Sequence, residues 1–311
     1  MVPEQSLSNF ESTSSKMSTI TGKTKLVGLL GQPVNHSLSP VMHNAAYEEM
    51  GLDWCYVAIP CDRENIEKVT TALRIVDCKG LNVTIPHKQE VLKACNKLTE
   101  TANKIQAVNT LVPEKNNQWI GANTDVEGFL MPLKNHNLIN KSVIVIGCGG
   151  SARAVVMGLN SLNIRKITII GRNKNSLNIF ISSMKNLLSK NQISIEGIDN
   201  KEIDITSYIE EADLIINTTP IGMNDQNNVK NNIPLGNEIW NCLSNKTILY
   251  DLIYTPRPTN WLKLGQKKNC FVIDGLDMLV GQGALSIKLW SGFNDVPIQI
   301  MKSSAKKHLM V

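Results

Sequence analysis

Val143-Ile144-Val145-Ile146-Gly147-Cys148-Gly149-Gly150-Ser151-Ala152-Arg153-Ala154-Val155-Val156-Met157-Gly158-Leu159 is the stretch from which the rest of the chain is read. An apolar β-forming run enters a glycine cluster directly, and a stretch with helical character opens behind it. Glycines in such a turn let backbone N–H groups approach a pyrophosphate, whose charge then rests at a helix N-terminus. An ordinary glycine-rich turn is the competing reading. The strand before and the helix after favour a dinucleotide loop made of Gly147, Cys148, Gly149, Gly150 and Ser151, with Ala152 closing the fingerprint.

The same alternation extends in both directions. Downstream come ITIIG, ADLIINTTP, TILYDLIY and CFVIDG, continuous apolar runs of the kind buried on both faces of a parallel sheet. Upstream, from Thr24, the strands expected are LVGLL, WCYVAI and LNVTI, with helical stretches opening at Ser39-Pro40, at Asp62 and after Pro86. Ser39 reads as an N-cap and Pro40 as the first helical residue. The segment from Gly275 through LVGQGALSIKLW has helical periodicity, follows a completed sheet, and is expected to pack back onto the first domain. The fold class is therefore α/β: two α/β domains flanking a cleft, the second a doubly wound Rossmann-type domain. The expected division is a disordered tail over residues 1–23, a substrate-binding catalytic domain over 24–124 plus 275–311, and a cofactor domain over 125–274.

An NAD enzyme places an Asp or Glu about 20 residues past the glycines, to hold the ribose 2′-hydroxyl. Here the next strand ends in Gly171-Arg172-Asn173-Lys174. Two cations and no carboxylate favour a 2′-phosphate, because the arginine fork binds it and a carboxylate would repel it. NADP is the cofactor expected; a merely solvated Arg172 is the plainer alternative.

Composition narrows the classes. With 311 residues, 42% hydrophobic and 19% charged, the chain suits a soluble enzyme of two modest domains. The net charge of +5 is dispersed, which argues against nucleic-acid binding and suits an anionic ligand. Seven cysteines without a close pair read as reduced thiols of a cytoplasmic protein, and the five scattered histidines lack metal-ligand spacing. No apolar run reaches the roughly 20 residues that span a bilayer. The Ser/Thr-rich opening, with Glu4, Glu11 and a second methionine at 17, reads as a tail or an over-called start. A homodimer is left open.

Polar groups gather at the strand ends of the first domain, where open sheets form their crevices. Ser37 and Ser39 precede a helix, Asn82-Val83-Thr84-Ile85-Pro86-His87-Lys88 leaves a strand, Asn109 lies in AVNT, and Asn123-Thr124-Asp125 stands between the domains. Each has a plainer reading: Ser39 as a cap, Lys88 as a solvated lysine, Asp125 as a helix cap. Together these hydroxyls, amides, ammonium and carboxylate suit a carboxylate-bearing, polyhydroxylated ligand.

SLSP, NVTIPHK, AVNT, the NTD triplet, GCGGSARA, INTTPIGM, DLIYTP and GLDMLVGQ occur in the order seen in shikimate dehydrogenases, and from Thr24 to Trp290 the chain resembles that family. The resemblance implies reversible NADPH-dependent reduction of 3-dehydroshikimate to shikimate in aromatic amino-acid (chorismate) biosynthesis. It implies that Lys88 moves the proton and Asp125 orients it. Ser37 and Ser39 would bind the substrate carboxylate, with Thr84, Lys88, Asn109, Asp125, Tyr254 and Gln282 around the ring. The cofactor positions implied are Gly147 to Ser151, the loop Gly171, Arg172, Asn173, Lys174, Asn175 and Ser176, then Leu252 and Gly275, with Glu100 and Met278 nearby. Without the resemblance, Tyr254 and Gln282 are ordinary packing and surface residues. The chain departs from the family at Gly171, Ser151, Ser176 and Asn269, where Asn, Ala, a cation and Gly are common. A quinate/shikimate dehydrogenase using NAD or NADP is the nearest alternative, and a non-catalytic shikimate-binding sensor or scaffold is the alternative of another class.

Overall fold

The computed structural model describes residues 19–199, 205–223, 233–237 and 239–309. Most of the expected tail, residues 1–18, lies outside the described residues. Strands are β1 (Lys25–Gly31), β2 (Trp54–Pro60), β3 (Leu81–Val83), β4 (Lys97–Leu98), β5 (Thr110–Glu114), β6 (Gln118–Ala122), β7 (Ser142–Ile146), β8 (Lys166–Gly171), β9 (Ser194–Asp199), β10 (Leu214–Asn217), β11 (Ile248–Asp251) and β12 (Phe271–Ile273). Helices are α1 (Ser39–Glu49), α2 (Ile66–Ile75), α3 (Glu100–Ile105), α4 (Asp125–Leu130), α5 (Gly150–Asn160), α6 (Lys174–Leu188), α7 (Thr206–Glu210), α8 (Ile239–Cys242), α9 (Asn260–Lys267), α10 (Leu276–Ser291) and α11 (Ile298–His308).

The second sheet has the order β12-β11-β10-β7-β8-β9 and is parallel throughout. Val143 and Val145 of β7 join one apolar cluster with α5 and α6, while Ile144 and Ile146 join another with α8 and α9. Alternation of side chains sends successive residues to opposite faces, which is why both faces read as apolar. The strand order reverses between β7 and β10, and that switch point opens a crevice at their carboxyl ends.

The first sheet corrects the expectation of a purely parallel arrangement. Its order is β2-β1-β3-β5-β6-β4; β5 runs antiparallel to both β3 and β6. A turn through Asn116 and Asn117, both at φ +56, joins β5 to β6, and asparagine tolerates that left-handed backbone better than most residues. Of LNVTI only Leu81–Val83 is strand. Ser39 is not the N-cap: the helix begins at Ser39 with Leu38 as its cap residue, and Ser37 Oγ instead accepts from Ser39 N–H at 3.2 Å. The helix expected after Pro86 is a short 3₁₀ turn over Glu90–Ala94. Asn269 sits at φ +61, a left-handed backbone that glycine adopts freely and asparagine tolerates. Leu276, Val280, Ala284 and Ile287 of α10 pack with Val27, Leu29 and Met42, so the last long helix closes over the first sheet. Among the described residues no helix is long and apolar enough to cross a membrane.

Two buried titratable groups pull stability in opposite directions. His43, stacked on Tyr56 with ring centres 4.1 Å apart, is driven by burial from 6.5 down to about 4, against hydrogen bonding to the Ser39 carbonyl and the Gly283 backbone. Asp251 is driven by burial from 3.8 up to about 6, against hydrogen bonds from Thr259, Ile253 and Asn217. The histidine's contribution is present above pH 6.5 and is lost as pH falls toward 4, because only the unfolded chain takes up the proton. The aspartate's is present below pH 3.8 and is lost as pH rises toward 6, because only the folded chain keeps its proton. Each slope reaches at most about 1.4 kcal/mol per pH unit. Urea unfolding across this window is expected to give His43→Phe a more negative stability slope than the native chain and Asp251→Asn a more positive one. Unchanged slopes in both variants would contradict these assignments.

Candidate active site

Gly147 follows β7 at φ +106, and a Cβ there would lie 2.7 Å from Thr218 Oγ1, at the end of β10. Thr218 Oγ1 itself donates to the Ile146 carbonyl at 2.7 Å, fastening the two strand ends on either side of the switch point. A Cβ on Gly149 would meet nothing within 4 Å, so this side of the loop is open. A Cβ on Gly150 would lie 3.1 Å from Lys88 Cβ, so the loop there abuts the segment that leaves β3.

These residues wall a cleft of about 410 Å³. Gly147 to Ser151 form its floor, Gly171, Arg172, Asn173 and Ser176 one side, Thr218 to Ile221 another, and Ile85, Pro86, Lys88 and Gln89 the front. Asn173 Oδ1 accepts from Ser176 N–H at 2.9 Å, so this residue caps α6 as well as lining the cleft. Exposed Arg172 leaves the end of β8 beside it, with no carboxylate at that strand end among Gly171 to Ser176. An open glycine loop at a helix N-terminus, with a guanidinium where a 2′-phosphate would fall, fits NADP.

Lys88, on the front wall, forms an ion pair with Asp125, which does not itself line the cleft. Lys88 Nζ stands 2.6 Å from Asp125 Oδ2, with side chains 13% and 6% exposed, and 3.4 Å from Ser151 Oγ of the loop. Backbone bonds hold Lys88 in place: its carbonyl accepts from Val108 N–H at 2.8 Å, and the preceding His87 is buried with its Nε2 2.5 Å from the Cys61 carbonyl. Asp125 is the first residue of α4, and Asn123 Oδ1 accepts its N–H at 3.0 Å. Its carboxylate is not spent as a helix cap. Asn109 Nδ2 donates to Asp125 Oδ1 at 2.8 Å and to Gln282 Oε1 at 3.3 Å, joining the residue before β5 to α4 and α10 at one point. Both carboxylate oxygens thus have donors, which fixes the acceptor that faces the ammonium.

The other expected substrate residues, Ser37, Ser39, Thr84, Asn109, Tyr254 and Gln282, do not line this cleft. Gln282 is buried and Tyr254 is half-buried; burial pushes the Tyr254 phenol above its usual range, while Ser37 and the Leu38 backbone oppose the shift. Ser39 is buried beside Tyr56, whose hydroxyl donates to Asn82 Oδ1 at 2.8 Å. Thr84 is half-buried against Gly31, where any Cβ would strike its methyl. Of the expected cofactor residues, Glu100, Lys174, Asn175, Leu252, Gly275 and Met278 do not line this cleft. Glu100 pairs with Lys104 on α3, Met278 packs in the second-lobe apolar cluster, and the Leu252 carbonyl backs onto Gly275. Thr218, Thr219, Pro220 and Ile221 line the cleft with no role read from the sequence. Their signal was present: a polar, proline-containing turn directly after the apolar run of β10.

Comparison with known proteins agrees with this geometry. The family profile described as shikimate dehydrogenase substrate binding domain matches residues 29–111, and that described as shikimate 5'-dehydrogenase C-terminal domain matches 275–306. The chain is 50% identical over 290 residues to the shikimate dehydrogenase (NADP(+)) of Prochlorococcus marinus (strain MIT 9515), covering 93% of this chain and 100% of that one. It superposes on a shikimate dehydrogenase crystallised with NADP+ at a TM-score of 0.82 and 34% identity, over 94% of this chain and 99% of the other. The shikimate 5-dehydrogenase of Thermus thermophilus in complex with NADP(H) and shikimate superposes at 0.76 with 28% identity, over 91% and 99% of the two chains. Sequence, fold and site together place this chain in the shikimate dehydrogenase family.

Proposed function

We propose that the chain catalyses the reversible NADPH-dependent reduction of 3-dehydroshikimate to shikimate, as a cytoplasmic enzyme of aromatic amino-acid biosynthesis. The Lys88–Asp125 pair, 2.6 Å apart, with Lys88 lining the cleft that also carries the glycine loop and Arg172, is the observation that supports it most directly. In this reading residues 24–124 and 275–311 hold the substrate and residues 125–274 hold the cofactor. NADPH, when bound, supplies the hydride to the keto carbon. Lys88 Nζ gives the proton to the carbonyl oxygen in reduction and takes it back in the reverse direction. Asp125, fixed by Asn109, orients the ammonium and accepts from a substrate hydroxyl. Ser37 and Ser39 bind the substrate carboxylate, and Thr84, Tyr254 and Gln282 bound the ring. The protein's share is alignment and proton supply in a cleft where Lys88 is largely shielded from water.

Initial rates measured by absorbance, with shikimate or quinate and NADP or NAD in parallel, test this reading. NADP reduction by shikimate is the expected leading activity. Faster turnover of quinate with NAD would replace it with a quinate dehydrogenase, and shikimate binding without turnover would indicate a sensor. Arg172→Ala is expected to weaken NADPH by roughly tenfold and NADH far less, since one charged fork to the 2′-phosphate is removed. Equal losses with the two cofactors would contradict that role. Sedimentation of the purified chain distinguishes a monomer from a homodimer.

A further inference from the structure

Arg153 lies in the first turn of α5, two residues past the glycine loop, yet the residue is only 7% exposed. Nη1 donates to the carbonyl of Ile105, the last residue of α3, at 3.1 Å, and the guanidinium carbon is 5.5 Å from the Phe180 ring centre. Nε is buried without a hydrogen-bond partner. Among the described residues no carboxylate pairs with it, and burial holds its pKa below the usual value while the Cys148 thiol in the loop acts the other way. A buried cation without a counter-ion is unfavourable, and a carbonyl and an aromatic face offset only part of that. The charge missing from its surroundings is negative, and the neighbouring loop is the place where an anion would add it.

We propose that Arg153 is a positioning residue for the dinucleotide, a buried cation whose counter-charge is the cofactor's diphosphate and whose fork ties the loop-bearing helix to the end of α3. This rests on the NADP reading above. The tie reaches the catalytic pair. From Ile105 the chain runs through Ala107, whose carbonyl accepts from Asn123 Nδ2 at 3.0 Å, to Asn109 on Asp125. Ile105, Ala107, Val126 and Ala154 form one small apolar cluster around this seam between the lobes.

The test uses the full chain with Arg153→Met and Arg153→Lys, calorimetric titration with NADP+, and thermal unfolding with and without it. Arg153→Met is expected to weaken NADP+ about tenfold, the scale of one charge acting across a partly shielded distance. Its melting temperature without nucleotide is expected to match or exceed that of the native chain, because the charge removed had no partner. The rise caused by NADP+ shrinks in step with the lost affinity. Arg153→Lys, which keeps the charge, is expected to recover most of the affinity. Unchanged NADP+ affinity in Arg153→Met overturns the proposal, whatever its melting temperature. If Arg153→Met is both weaker in binding and less stable, Arg153→Lys decides: recovered affinity supports the electrostatic role and unrecovered affinity overturns it. Failure of the native chain to bind NADP+ would instead remove the cofactor reading, and this inference with it.

Discussion

Replacing Lys88 with alanine is expected to lower turnover of 3-dehydroshikimate by about 10²- to 10⁴-fold, the range set by removal of a positioned general acid. NADPH affinity should stay near its native value, because the loop Gly147 to Ser151 and Arg172 hold the cofactor through other groups. Among the described residues the side chain has a single ion-pair partner, Asp125 Oδ2 at 2.6 Å, so its loss also leaves a 6%-exposed carboxylate with Asn109 as its remaining side-chain donor. Removing one member of a buried pair costs about 3 kcal/mol of stability. Rates must therefore be compared at a temperature where the variant is folded, with circular dichroism as the check. Asp125→Asn should fall by a similar factor, since it keeps the hydrogen-bonding shape and removes the charge that orients the ammonium. Near-native turnover in Lys88→Ala, measured beside an NADPH fluorescence titration, would falsify its role as proton donor.

Gly275→Ala is expected to destabilise the chain by about 3 kcal/mol or more, at the upper end of what overpacking usually costs. A Cβ at this position would stand 2.0 Å from the Leu252 carbonyl oxygen and 2.5 Å from its carbon. Backbone cannot turn aside as a side chain can. Gly275 N–H also donates to the Ile253 carbonyl at 3.1 Å, so the two segments cannot simply separate. Just beyond Gly275, α10 carries Gln282 to Asn109, and a shift of that helix should lower turnover as well as stability. Gly22→Ala, where a Cβ meets nothing within 4 Å, is the control and should change stability by less than about 0.5 kcal/mol in urea unfolding. Equal midpoints for the two variants would show that the Leu252 segment yields to the added atom.

What could be read in the linear chain was whatever neighbouring residues encode. The apolar runs of β7, β8, β10 and β11 announced a sheet buried on both faces, and Gly147 to Ser151 announced the turn at the end of β7. Edge strand β9 was not legible, because Ser194-Ile195-Glu196-Gly197-Ile198-Asp199 is short and polar on its outer positions, as an edge requires. The antiparallel β5–β6 pair was missed although Asn116-Asn117 marks its turn. Among the candidate residues, position at strand ends singled out Lys88 and Asp125, and resemblance supplied their roles. Their separation of 37 positions left the contact itself undetermined.

The order of residues by itself determined the α/β class, the dinucleotide loop, the cation at the end of β8 and the family. Tertiary structure decided that Lys88 meets Asp125, that Asn109 joins Asp125 to Gln282, itself 173 positions beyond Asn109, and that Gly275 is needed for space rather than for a left-handed backbone. The physical reason is range. Periodicity, turns and helix ends follow from residues within about one helical turn of each other, whereas a catalytic contact depends on which apolar faces close upon one another.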